Sequence, residues 1–377
     1  MSRLNESERQ KPVLTLACEW LDANIPQLAE AITTRTFAAK PELQAKYGNR
    51  GRLKCEQDAN YHLHYLYEAM AGDSVAIFVD YIGWAKIMLR SRGIEWTDLK
   101  ENLEGMIHAL RLKAPRKFAN LFLKFIKAAL MQLPELPGKL PSFIDPAMPF
   151  AELAEFYLHS LLVLNREEAV SLVVRRVESG LAINDLFRHV IHPVQQEVGR
   201  LWQENKITVL QEHYCTAATD VLITRLKRGF LGVPRAVTAL SLCPDGEEHS
   251  LAIKMFSDLL EADGWRVAFI GPKCPIADVL KHIRRHATDL VAISVATPLN
   301  LSKTKELITE IRTLPPEHKP SIIVGGAAMK ANADSWNYLG ADAVASDVSE
   351  GVEIANRLVA QQETGERAGP TETSGRA

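Results

Sequence analysis

The sequence predicts a multi-domain chain of α and α/β class. It has an all-helical N-terminal domain, a four-helix bundle, and a C-terminal doubly wound domain on a parallel sheet. Three observations predict this. Apolar residues recur at helical spacing up to about residue 230. Five prolines crowd residues 132–149, QLPELPGKLPSFIDPAMP, where no regular element survives. From residue 231 onward, short β-rich runs alternate with amphipathic stretches.

Within the first domain, 1–131, residues 72–92 are the clearest helix. Phe78, Tyr81, Ile82, Ala85, Met88 and Leu89 share one face. Asp73 or Ser74 is placed to cap its start, and Arg90 and Arg92 suit its C-terminal dipole. Residues 54–70 form a second helix with Cys55, Ala59, His62, Leu66 and Met70 on one side and His64 on the other. Residues 132–149 are a linker. The bundle, 150–230, divides into helices at about 151–163, 166–179, 183–202 and 209–228. Asn205 suits the left-handed position that ends the third, and Thr208 with Gln211 fits a capping box that starts the fourth. In the last domain, 231–362, the runs VTALSL, RVAFI, LVAISVA, SIIVGG and DAVAS are strands. Helices at 249–263, 276–287, 301–313, 328–338 and 349–360 alternate with them. Residues 363–377 are polar and are expected to be a disordered tail.

Bulk properties exclude several functions. The formal net charge is −2, from 44 basic and 46 acidic residues, so neither a nucleic-acid surface nor a polybasic membrane patch is expected. No apolar run reaches the roughly 20 residues of a membrane span, and MSRLNESERQKP lacks the apolar core of a signal peptide. The five cysteines, Cys18, Cys55, Cys215, Cys243 and Cys274, form no CxxC pair, which reads as a reduced cytoplasmic protein without a disulfide framework or zinc site.

Ligands of open α/β sheets sit beyond the carboxyl ends of the strands. The first loop there is CPDGEEHS, residues 243–250. It lacks the GxGxxG of a dinucleotide-binding turn but holds Glu247-x-His249. A neutral imidazole ligates borderline transition metals, and a carboxylate two residues away can fix its tautomer by accepting the other ring N–H. One histidine does not hold a bare ion, but it can add an axial ligand to a metal already held by a macrocycle. Gly325-Gly326 after the fourth strand would let a long ligand tail approach the backbone, and Ser294 and Thr297 offer hydroxyls beside it.

These residues resemble a known pattern. Residues 150–360 resemble the cobalamin-binding module, a four-helix bundle followed by a flavodoxin-like domain. The module's Asp-x-His-x-x-Gly, Ser-x-Leu and Gly-Gly correspond here to Glu247-x-His249-x-x-Ala252, Ser294-Val295-Ala296 and Gly325-Gly326. The departures at Ala252 and Ala296 bear on the fit of the nucleotide tail. The resemblance implies that His249 is the lower cobalt ligand, with the dimethylbenzimidazole tail displaced into the sheet domain. In the bundle, Trp202-x9-Glu212-His213 resembles the CarH-type photoreceptors, in which Trp and Glu enclose the adenosyl group of adenosylcobalamin and His lies beside it. The residue after Trp202 is Gln203, where that family places a histidine that binds cobalt after illumination, and His213 is the nearest substitute.

The N-terminal helices are too long for the winged helix of CarH-type repressors and have no basic recognition helix. Residues 42–93 resemble instead the N-terminal part of photocobilins, which pair cobalamin with biliverdin. That resemblance points to His62, with Tyr61, Tyr65, Tyr81 and Trp84 as aromatic neighbours of a planar chromophore, and to Asp58 or Asp80 as acceptors for pyrrole N–H groups. Plain helix packing explains the same aromatics, and a histidine on an apolar face is more often a satisfied core residue than a ligand. Together the resemblances imply a light sensor rather than an enzyme. Photolysis of its cobalt–carbon bond would change domain packing and the state of a homo-oligomer, and the signal would pass to an unknown partner. The rivals are a corrinoid methyl carrier of a methyltransferase system and a haem or redox-sensing regulator on the same fold.

Overall fold

The helical pattern of the first domain becomes five helices in the computed structural model, which describes residues 6–227, 232–330 and 338–364. These are α1 (Glu6–Ala39), α2 (Pro41–Ala71), α3 (Val75–Arg90), α4 (Trp96–Lys113) and α5 (Arg116–Gln132). The second helix runs longer than its periodicity suggests, because it continues through a kink at Gly48, where φ is +57°. Leu21, Leu28 and Ile32 of α1, Leu63 and Leu66 of α2, Phe78 and Ile82 of α3, and Phe122 and Ile126 of α5 are fully buried. Ser74 is the N-cap of α3 but makes no side-chain capping bond, and Asp73 pairs with Lys124 at 3.3 Å instead.

Beyond Gln132, the last residue of α5, the proline-rich stretch contains no helix or strand, yet it is not a free linker. The chain divides into units at Lys139/Leu140, in the middle of that stretch. Its first part is pinned to α3, where the buried Lys86 ammonium donates to the carbonyls of Leu133 (2.8 Å), Pro134 (3.1 Å) and Leu136 (2.6 Å). Carbonyls at a helix end lack intrahelical partners, and an ammonium supplies three donors. Its second part belongs to the other unit. Ile144 is buried in the bundle core, and the Phe143 amide donates to Glu197 at 3.0 Å.

The bundle consists of α6 (Ala151–Leu162), α7 (Arg166–Glu178), α8 (Ile183–Leu186) running through a π turn at Phe187–Ile191 into α9 (His192–Gln203), and α10 (Val209–Lys227). In the π turn the His192 amide reaches the Phe187 carbonyl, and Pro193 just beyond brings no N–H of its own. Tyr157, Phe187, Ile191, Leu222 and Ile223 fill the core, and Met255 and Leu259 from the following domain join it.

The sheet comprises β1 (Thr238–Leu242), β2 (Arg266–Gly271), β3 (Leu290–Ser294), β4 (Ser321–Gly325) and β5 (Ala343–Ala345). All pairings are parallel, in the order β2-β1-β3-β4-β5. The chain turns outward in opposite directions after β1 and β3, which opens a crevice at their carboxyl ends. Between strands lie α11 (Leu251–Ala262), α12 (Ile276–Arg285), α13 (Leu301–Arg312) and the short α14 (Ala327–Lys330), and α15 (Val348–Thr364) closes the domain. β3 is buried at every position, as a strand covered on both faces should be. Of the helix expected at 328–338, residues 331–337 lie outside the described residues, as does the tail from 365.

Candidate functional site

The crevice is built around one buried carboxylate. Glu247, on the loop between β1 and α11, is 1% exposed. Its Oε2 accepts from the amides of Ala296 (2.9 Å) and Thr297 (3.0 Å) and from Asn300 Nδ2 (3.0 Å), all on the loop after β3. Its Oε1 accepts from the His249 amide (3.1 Å) and pairs with His249 Nδ1 (2.5 Å). Burial pushes this carboxyl up, but the hydrogen bonds from His249 and Thr297 outweigh it and hold the pKa down at about 2. Glu247 is therefore ionised and can only accept, so His249 Nδ1 carries the proton. The Nε2 lone pair is left free on a side chain that is 67% exposed. The hydrogen bond to Glu247 raises the His249 pKa against partial desolvation, and Glu212 of α10 is among the charges that add to the rise. The bundle and the histidine loop thus share one electrostatic neighbourhood.

The bundle end facing this loop is organised by the turn between α9 and α10. Asn205 adopts φ +56°, ending α9 directly after Trp202 and Gln203. The Gln211 amide donates to Thr208 Oγ1 (3.2 Å) and the Thr208 amide to Gln211 Oε1 (3.0 Å), so α10 opens on a reciprocal cap. Trp202 is half-buried against the bundle core. Glu212 Oε2 pairs with His213 Nδ1 at 2.7 Å, and His213 is 76% exposed. Gln203 is buried. Sequence reasoning missed the apolar rim here. Val209, Leu210, Val163 and Leu164 are all exposed, and Tyr214 and Gln211 bond the turn carrying Val163 and Leu164 to the first turns of α10. Large apolar side chains exposed together mark a surface that receives something.

Asn300 was also missed, although a buried amide bonded to the ionised Glu247 is as much part of the loop as the carboxylate. Its only sequence signal was an Asn at the start of a helix after Thr-Pro. Alternation along the strands places Cys243, Ser294, Gly325 and Ala345 on the face covered by α11 and α15, a row of small side chains near the crevice. One step back on the same face, Ser241 Oγ is buried with no hydrogen-bond partner among the described residues. The two glycines behave differently. A Cβ on Gly326, at φ +106°, would lie 2.3 Å from the Val295 carbonyl oxygen, so the fold itself demands that glycine. A Cβ on Gly325 would meet nothing nearer than 3.4 Å, so its absence serves space rather than strand packing. Thr297 donates its backbone amide to Glu247, and its hydroxyl oxygen accepts from Asn300 Nδ2 (3.0 Å).

In the first unit, the residues singled out on α2 and α3 gather around Tyr81. Tyr65 stacks on it at 3.6 Å between ring centroids, Trp84 lies at 6.3 Å, and His62 Nδ1 is 2.7 Å from its hydroxyl. Asp58 and Tyr61 both act electrostatically on Tyr81, whose pKa burial drives upward. His62 and Tyr81 are buried, whereas Tyr61 and Trp84 are exposed. His62 therefore supports Tyr81 from behind. The outward ledge is formed by Tyr61, Trp84 and the half-buried Tyr65 and Asp58. Asp80 stands exposed on the outer face of α3.

Residues 237–355 match the B12 binding domain family, and residues 153–227 match a second family of the same description. Over 183 residues the chain is 26% identical to the HTH-type transcriptional repressor CarH of Myxococcus xanthus, a match covering 48% of this chain and 60% of that one. The chain thus spans about three-fifths of the length of this relative. Over 208 residues it is 24% identical to the dimethylamine corrinoid protein of Methanosarcina barkeri, covering 54% of this chain and 96% of that protein. The solved structure of the Methanosarcina barkeri monomethylamine corrinoid protein superposes with a TM-score of 0.50 at 17% identity, over 56% of this chain and all of that one, a likeness of fold. The second unit is thus a two-part B12-binding module, bundle and parallel sheet. The chain that carries it is a cobalamin-binding protein, with a corrinoid as its cofactor.

The residues fit that group. A single exposed imidazole nitrogen with its tautomer fixed would suit one ligand position on a metal that brings its own macrocycle. The row of small residues and the orphaned Ser241 hydroxyl suit a polar tail lying against the sheet.

Proposed function

We infer that this chain is a light-responsive sensor rather than an enzyme. It takes adenosylcobalamin in its second unit and biliverdin on the Tyr61–Trp84 ledge of its first. The observation that carries the reading is the Glu247–His249 pair, with its free Nε2, set in one electrostatic neighbourhood with the Trp202-x9-Glu212-His213 end of the bundle. When bound, adenosylcobalamin supplies a cobalt–carbon bond that visible light cleaves. His249 Nε2 would ligate the cobalt, with Glu247 holding its tautomer while Ala296, Thr297 and Asn300 hold Glu247. Trp202 and Glu212 would enclose the adenosyl group with His213 beside them, and the exposed apolar rim of Val209 and Leu210 would exclude water there. Ser294, Gly325 and Ser241 would line the space for the tail. A ligand held between bundle and sheet biases how they pack, and its loss changes that packing and the oligomeric state of a cytoplasmic homo-oligomer.

A second reading has its own support. The likeness to the dimethylamine corrinoid protein covers nearly all of that protein, so a corrinoid methyl carrier stands beside the sensor. Absorption spectra and elution volume of the full chain with adenosylcobalamin, in the dark and after green light, separate the two. The sensor requires both to change. Identical spectra and elution volume before and after light, with methyl transfer to a partner, would leave the carrier. His249→Ala removes the axial imidazole and should abolish the histidine-dependent shift of the cobalamin spectrum. Glu247→Gln should weaken binding by about 10- to 100-fold. Biliverdin added to the intact chain should raise a red absorption band, and no band removes that half of the reading.

A further inference from the structure

One surface of the first unit has no part in either cofactor reading. Residues 105–134 contain six basic side chains, Arg111, Lys113, Arg116, Lys117, Lys124 and Lys127, and no acidic one, in a chain whose formal charge is −2. The inner face of α5 buries Phe118, Phe122, Phe125, Ile126 and Ala129. Its outer face therefore carries Arg116, Lys117, Asn120, Lys124, Lys127 and Met131, all exposed. Of the six cations only Lys124 has an ion-pair partner among the described residues, Asp73. Arg116 and Lys117 also occupy the first turn of α5, which holds no acid, so they sit at the positive end of the helix dipole. At the two ends of the stripe stand Leu112, 72% exposed, and Met131, 81% exposed.

We propose that the outer face of α5, with Arg111, Leu112 and Lys113 from the end of α4, docks an acidic amphipathic helix of a partner protein. From Arg116 to Met131 the stripe runs roughly 22 Å, about four helical turns. Cations three and four residues apart match carboxylates at the same spacing on a facing helix. The apolar ends call for apolar side chains at both ends of the partner segment. A nucleic-acid strand fits less well, because the aromatic rings of this stretch are buried and unavailable for stacking, and Glu104 stands exposed one to two turns before Arg111. An anionic membrane fits less well too, because Leu112 and Met131 lie at opposite ends and form no continuous inserting face.

The test uses the full chain and a fluorescein-labelled synthetic helix of about 16 residues, Glu at its central i, i+3 and i+4 positions and Leu at both ends, followed by anisotropy at low salt. The peptide should bind. The triple variant R116E/K117E/K127E should weaken it at least about tenfold, and L112S/M131S by about threefold. The triple variant should keep the fold, since acids suit the start of α5, and circular dichroism checks that. No binding, or equal binding by either variant, overturns the proposal. So does tighter binding of duplex DNA or of phosphatidylserine vesicles than of the peptide, which would give this face to another class of partner.

Discussion

At Gly326 an added Cβ would strike the carbonyl oxygen of Val295, just past the end of β3, whereas at Gly325 it would find ordinary contact distances. Adjacent glycines therefore answer to different demands. Gly326→Ala combines that clash with a left-handed φ of +106°, and should destabilise the second unit by about 2 kcal/mol or more. Gly325→Ala should leave the melting temperature close to wild type and, if the proposed tail site is right, lower cobalamin affinity, because its Cβ would enter that space. Equal melting temperatures for the two variants would show that the strand contact does not decide the matter. His62 makes a separate prediction. Burial lowers its pKa from 6.5 to about 4. Between those values the unfolded chain binds a proton that the folded chain refuses, so stability is full above pH 6.5 and falls as pH drops toward 4. The whole window corresponds to about 3 kcal/mol at most, of which about 2 kcal/mol lies between pH 6.5 and 5. Urea denaturation at pH 7 and pH 5 should show a smaller loss for His62→Gln than for wild type, and equal losses would refute the assignment.

Among the elements, legibility followed the range of the interactions involved. The turn between α9 and α10 could be read because its signals are local: Asn205 for the left-handed stop, Thr208 and Gln211 for the cap. The Glu247–His249 pair was equally visible, being two residues apart. Asn300 was not, because it meets Glu247 from the far side of the crevice, across a strand order that the sequence does not print. The proline-rich stretch was legible as irregular but not as anchored, since Lys86 and Glu197 reach it from distant helices. His62 was placed correctly on a buried face, while its bond to Tyr81 depends on how α2 and α3 pack. Thr208→Ala tests the local part directly. Losing the cap should cost about 1 kcal/mol in denaturant unfolding of the second unit. The turn also sets where Trp202 and Glu212 stand, so cobalamin affinity should fall with it. Unchanged stability would mean that packing of α10, not its cap, fixes this end of the bundle.

For the whole molecule, the division at Lys139/Leu140 makes a prediction that the proline count alone would get wrong. Treating 132–149 as a linker suggests that a fragment beginning at Phe150 is complete. Ile144, however, is 6% exposed within the bundle core, and Glu197 takes the Phe143 amide while itself pairing with Arg200. Removing residues 140–149 would open a hole at Ile144 and leave the Glu197 carboxylate without one of its donors. Emptying a buried Ile site costs about 2–5 kcal/mol, and the lost hydrogen bond to a charged group about 1.5–3 kcal/mol more. Every residue assigned to cobalamin lies in the second unit. A fragment of residues 140–377 should therefore bind cobalamin about as tightly as the full chain, while one of residues 150–377 should melt several degrees lower and bind more weakly. Melting curves and spectral titrations of both fragments decide it. If the two behave alike, the second half of the proline-rich stretch contributes nothing to the bundle. If neither binds, the assignment of the corrin site to the residues of the second unit fails.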